Sequence, residues 1–130
     1  MSAELLREAL ETLNRDGVEA AIGYFTEDFE GVVPPELSGE PDEYHGHDGV
    51  RRYFDLFMEV VDDLRFDIEK AVAVAPGAVA SVAHITGRGH GSGVPMEMRV
   101  GIAVRIRDGR IARMIGYSDW DEAVAAARSD

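Results

Sequence analysis

Leu6, Ala9, Leu10 and Leu13 recur at i, i+3, i+4 and i+7, the spacing of one buried helix face, with Ser2 placed to cap its start. Asp16-Gly17 ends this helix. Asp16 and Glu19 then form a D-x-x-E pattern, which predicts a capped second helix burying Val18, Ala21, Ile22 and Phe25. Phe29 to Val33 reads as a short strand, stopped by Pro34-Pro35 because proline cannot donate to a ladder. Residues 34–47 are polar and rich in proline and glycine, a loop of a length usually tied to function or motion. Asp48 opens a third and longest helix, with Val50, Tyr53, Phe54, Phe57 and Val61 along one stripe.

The period then changes to two. Leu64, Phe66 and Ile68 alternate with Arg65, Asp67 and Glu69, as in a strand with one buried face. Pro76-Gly77 turns the chain into a second strand over 78–86, and Gly87 to Gly93 reads as a hairpin or bulged connection. In the long strand that follows, Met98, Val100, Ile102, Val104 and Ile106 oppose Arg99, Gly101, Ala103, Arg105 and Arg107. Asp108-Gly109 is a strong hairpin turn. Residues 111–120 form the last strand and 121–128 a short alanine-rich helix. Three helices before residue 63, then an antiparallel meander from 64 to about 120, predict a single α+β domain over 1–130.

Charge narrows the choice of partner. The net charge is -12, and residues 1–70 hold 19 acids and 6 bases against 6 acids and 7 bases in 71–130. So acidic a chain is repelled by phosphate backbones, which argues against nucleic acid. No stretch approaches the roughly 20 apolar residues that span a bilayer, and the acidic first residues do not resemble a secretory signal. The expected location is cytoplasmic, away from membranes. With no cysteine, disulfides, thiolate metal sites and thiol nucleophiles are excluded together. The outward Asp67, Glu69, Arg99, Arg105 and Arg107 predict cross-strand ion pairs on the solvent face, each worth about 0–1 kcal/mol.

Four motifs in order resemble the SnoaL-like family of the nuclear transport factor 2-like superfamily, which includes ketosteroid isomerases and polyketide cyclases. They are Tyr44-His45-Gly46-His47-Asp48-Gly49-Val50-Arg51, the glycine run Gly87 to Gly93, Arg107-Asp108-Gly109-Arg110-Ile111, and Tyr117-Ser118-Asp119 with Glu122-Ala123. The resemblance implies a cone-shaped curved antiparallel sheet with the N-terminal helices packed on its concave face. It also implies a pocket for a small hydrophobic molecule and a homodimer paired through the convex face, where Gly101 and Ala103 would permit close approach. The activity implied is cofactor-independent isomerisation, cyclisation or a related acid–base reaction of a ketone-bearing substrate. The alternative is a non-catalytic dimeric interaction module with a filled pocket. Gly116 stands where the epoxide hydrolase-like pattern carries its first acid, which argues against hydrolysis.

Each candidate residue has two readings. Asp119 is either the catalytic acid–base or, with Glu122, a capping box for the last helix, and the cap is favoured. His84 shares a face with Ala80, Val82 and Thr86, as a base or as a hydrogen-bonded core histidine. Tyr24, Tyr53 and Tyr117 can donate hydroxyls to a bound carbonyl or simply pack. The pocket between the long helix and the sheet is expected to be lined by Tyr24, Tyr53, Phe54, Phe57, Met98, Met114 and Trp120. His45-x-His47-Asp48 lacks a third ligand at a known spacing, so no metal is assigned. His90 is expected on the exposed hairpin.

Overall fold

A computed structural model describes the backbone of residues 2–33 and 42–129; side chains at 2, 33, 42, 56–58, 60 and 129 fall outside it. The expected cap by Ser2, the loop over 34–41 and the Phe57 side chain therefore lie outside the described residues.

The first apolar stripe forms α1 (Ser2–Asp16), whose Leu6, Ala9, Leu10 and Leu13 are all buried. The second helix is much shorter than its pattern suggests. α2 covers Val18–Ala21 and passes into a 3-10 turn (Ile22–Tyr24), while Phe25 opens a strand. Gly17, at φ 92, is the N-cap, with no side-chain cap bond. The expected D-x-x-E cap does not form, since Asp16 is the last residue of α1 and Gly17 takes the N-cap position; Asp16 accepts from Arg15 Nε at 2.9 Å and Glu19 from Arg51 Nε at 2.7 Å.

β1 (Phe25–Val33) pairs antiparallel with β2 (Asp42–His45), a strand inside the segment expected to be loop. α3 (Gly46–Val60) follows at once, then β3 (Val61–Ala75), β4 (Ala78–Gly89), β5 (Pro95–Arg107), β6 (Arg110–Tyr117) and α4 (Trp120–Ser129). No loop separates α3 from β3. Near its start β3 is interrupted by a bulge at Asp63, in the left-handed region at φ 55, where the register with β4 shifts between Asp62 and Arg65.

The strands form one open curved sheet in the order β2-β1-β6-β5-β4-β3. β3 to β6 are the expected meander, but β1 runs parallel to β6, so the six-stranded sheet is mixed rather than antiparallel. The β4–β5 register is unbroken, so alternation assigns faces there. Val79, Ser81, Ala83 and Ile85 point inward, with Val100, Ile102 and Val104. This inner face packs against Leu6, Leu10 and Leu13 of α1 and Val50 and Phe54 of α3.

The outer face holds a second cluster. Ala80 of β4 and Ala103 of β5 pack on Ala123 and Ala127 of α4, with Val74, Tyr117 and Trp120 around them. A Cβ on Gly101 would lie 2.8 Å from the carbonyl carbon of Asp119 and 3.2 Å from Ala123 Cβ. The small residues expected to admit a second subunit thus admit the chain's own last helix. Gly87 has a similar role on the inner face, where a Cβ would overlap Val61 and sit 2.9 Å from the Asp62 carbonyl oxygen.

Candidate ligand-binding face

The inner face is built around aromatic edges. Phe25 and Phe29 meet at 5.1 Å and 84°, and Phe54 meets Phe25 at 6.3 Å and Phe66 at 5.5 Å. Tyr53 lies 5.0 Å from Phe54 and 5.4 Å from Tyr44, again edge to face. Such geometry sets a positive ring edge against a negative face, a favourable arrangement for further aromatic surface. Gly31 lets β1 pass beneath this group, since a Cβ there would stand 3.0 Å from the Phe29 ring.

Five of the expected lining residues come together here. Phe54 and Met114 are buried in the inner cluster, and the partly buried Tyr24, Tyr53 and Met98 pack against it. Burial pushes the Tyr53 phenol up to about 12, with a smaller contribution from Tyr44.

Three expected site residues lie on the outer face. His84 is opposite Asp67 and Arg99 in the ladders, and its Nε2 is 3.1 Å from Glu97 Oε2. Asp119 is exposed, and its Oδ1 accepts from the Glu122 amide at 2.9 Å, the capping bond of α4. Trp120 packs in the outer cluster, with Lys70 Nζ 4.1 Å from its ring centroid. Alternation along β4 turns His84 outward, and the turn at 118–119, which carries α4 over Gly101, places Asp119 and Trp120 on the same face. Tyr117 joins the outer cluster too.

The outer face also holds ion pairs. Arg99 donates to Glu69 at 2.7 Å and Arg65 to Asp67 at 3.0 Å. The Arg99 guanidinium, by hydrogen bond first and charge second, holds the Glu69 carboxyl below its usual range. Arg107 pairs with Asp28 across the sheet rather than with Asp67 or Glu69.

The histidines near α3 serve structural bonds. His47 Nε2 lies 2.9 Å from the Phe25 carbonyl oxygen and ties α3 to β1, while His45 faces solvent at 3.6 Å from Glu43. His90 is exposed and 3.0 Å from Asp62. Among the described residues no three of His, Cys, Asp and Glu are grouped to hold a metal, and none of the buried ones is Asp, Glu or His. A fully buried hydroxyl was missed in the sequence: Ser81 Oγ donates to the Ile102 carbonyl at 3.0 Å from the floor of the inner face. Its two-residue spacing from Val79 and Ala83 was the available signal.

A model of the SnoaL-like domain matches residues 6–114. No match emerges among curated protein sequences. Among solved structures, an NTF2-like protein of unknown function from Burkholderia pseudomallei superposes with a TM-score of 0.76 at 15% identity, covering 95% of each chain. TerC, co-crystallised with polyporic acid, gives 0.77 at 16% identity over 95% of this chain and 98% of its own. A ketosteroid isomerase-like protein from Catenulispora acidiphila, in complex with trimethylamine, gives 0.76 at 16% over 98% and 95%. At these identities the likeness concerns the fold.

Proposed function

The chain belongs to the SnoaL-like domain family, and from that premise we propose that it binds a small, apolar, ring-bearing carbonyl compound against the inner face of its sheet. One observation carries the reading: Phe54 and Met114 lie in one inner cluster, and Tyr24, Tyr53 and Met98 pack against it, which sets aromatic rings, thioethers and a phenol on the same face. The rings and thioethers offer apolar contact, and methionine adapts to irregular shapes. The Tyr53 hydroxyl supplies the donor that fixes a carbonyl oxygen. Isomerisation or cyclisation would also need a base beside the bound carbonyl, and Asp119 and His84 stand on the other face of the sheet. The reading is therefore binding without acid–base turnover by those two residues.

The tight packing of Phe25, Phe29, Phe54 and Phe66, each no more than 6% exposed, favours a second reading, an inner face filled by the chain's own side chains. Titration with 1-tetralone and 9-fluorenone, followed by amide chemical shifts, separates the two. Saturable shifts at Tyr53, Met98 and Met114 support the binding site, and their absence supports the filled face.

A further inference from the structure

The chain has a single lysine, Lys70, and a single tryptophan, Trp120. They meet on the outer face, with Lys70 Nζ 4.1 Å from the indole ring centroid. Simple alternation along β3 would not bring them together. Phe66 and Ile68 pack inward, and Lys70, two residues further on, would follow them. The ladder shifts between Ile68 and Lys70, however, so that Ile68 lies opposite the inward Ala83 and Lys70 opposite the outward Val82. A bulge of this kind re-aims a side chain. Here it turns both Glu69 and Lys70 to the face that α4 covers.

The two side chains take different partners there. Glu69 accepts from Arg99, and the neighbouring Arg65 and His84 pair with Asp67 and Glu97. Lys70 is exposed, and among the described residues its ammonium meets the indole rather than a carboxylate. Trp120 is the first residue of α4, directly after the Asp119 cap. Further along, the helix rests on the methyl groups of Ala123 and Ala127 against Ala80 and Ala103. A charge on β3 therefore pins the start of a helix whose other buried contacts are small.

We propose that Lys70 is a site of acylation, and that its charge is the latch that holds the start of α4 to β3. The co-reactant is a thioester. The deprotonated amine attacks the acyl carbon, a C–N bond forms as the C–S bond breaks, and one amine proton leaves with the thiol. The amide so formed is uncharged, so its attraction to the negative face of the ring is lost while the alkyl stem remains.

Treatment with S-phenyl thioacetate, followed by peptide mass mapping, is expected to place an acetyl group on Lys70. Hydrogen exchange at the α4 amides of Val124 to Ala127 should then quicken about two- to fivefold, the worth of one exposed cation–π contact, and Trp120 emission should shift to the red. The Val79 and Val100 amides in the sheet should keep their rates. Lys70→Arg, treated in the same way, keeps its charge and should keep the parent exchange, while Lys70→Gln should reproduce the acceleration without reagent. In a Trp120→Leu chain acetylation should change nothing, because the ring is already gone. An unmodified Lys70, unchanged α4 exchange after acetylation or in Lys70→Gln, or the same acceleration in the Trp120→Leu chain would overturn the proposal. Should Trp120→Leu fail to fold, the acetylated parent and the two Lys70 variants decide alone.

Discussion

Replacing Gly101 by alanine tests how α4 is held. The added methyl would overlap the Asp119 carbonyl oxygen and stand 2.8 Å from its carbon, both backbone atoms that no rotamer change can move. Either the strand and turn stay together under strain, or α4 lifts. Overpacking of this kind typically costs about 1–3 kcal/mol. Lifting exposes the methyls of Ala123 and Ala127, at roughly 0.8 kcal/mol each, and breaks the Lys70–Trp120 contact, about 0.5–1 kcal/mol at an exposed site. The two routes come to similar sums, so a loss of about 2–3 kcal/mol is expected whichever is taken. Urea unfolding followed by Trp120, the only tryptophan, reads the loss directly, and a red-shifted native emission would identify lifting. Gly23→Ala is the control, since nothing lies within 4 Å of its built Cβ, and it should stay within about 0.5 kcal/mol of the parent. A Gly101→Ala chain as stable as that control, with unchanged emission, would refute the reasoning.

Asp119→Asn should leave stability nearly unchanged, because an amide oxygen can accept the Glu122 amide, while Asp119→Ala should lose roughly 0.5–2 kcal/mol in the same urea assay. Equal losses would show that the carboxylate charge matters more than the bond. Glu69, whose carboxyl is held low by Arg99, contributes stability above the ordinary carboxylate range that is lost as pH falls through its folded value. Melting of Glu69→Gln and parent chains should therefore differ at pH 7 and converge near pH 2; a constant gap would contradict the pairing.

Periodicity made the elements legible where one face is buried against one partner. Leu6 to Leu13, Val50 to Phe54 and Val100 to Val104 all take the faces their spacing predicts. It said nothing of strand direction, so the parallel pairing of β1 with β6 was invisible. β2 was hidden because Asp42, Glu43 and His45 have no strand preference, and backbone pairing with Glu30 to Val33 holds them extended. The site was half legible. Alternation placed His84 correctly with Ala80 and Val82, but which face α3 covers depends on tertiary packing. Trp120 was misleading for the same reason: its position in sequence follows β6, and the cap at Asp119 with the gap at Gly101 turns it outward. The glycine run was legible as a connection, whereas the need for Gly87 beneath Val61 arises only from the fold.

The claim that the inner face binds a carbonyl compound is tested most directly by the affinity of 9-fluorenone for the parent and Tyr53→Phe chains, read from amide shifts. The account predicts saturable shifts at Tyr53, Phe54, Met98 and Met114, none at His84 or Trp120, and binding weakened roughly 2- to 10-fold without the phenol, the worth of one hydrogen bond. Shifts confined to the outer face, or equal affinity for both chains, would contradict it.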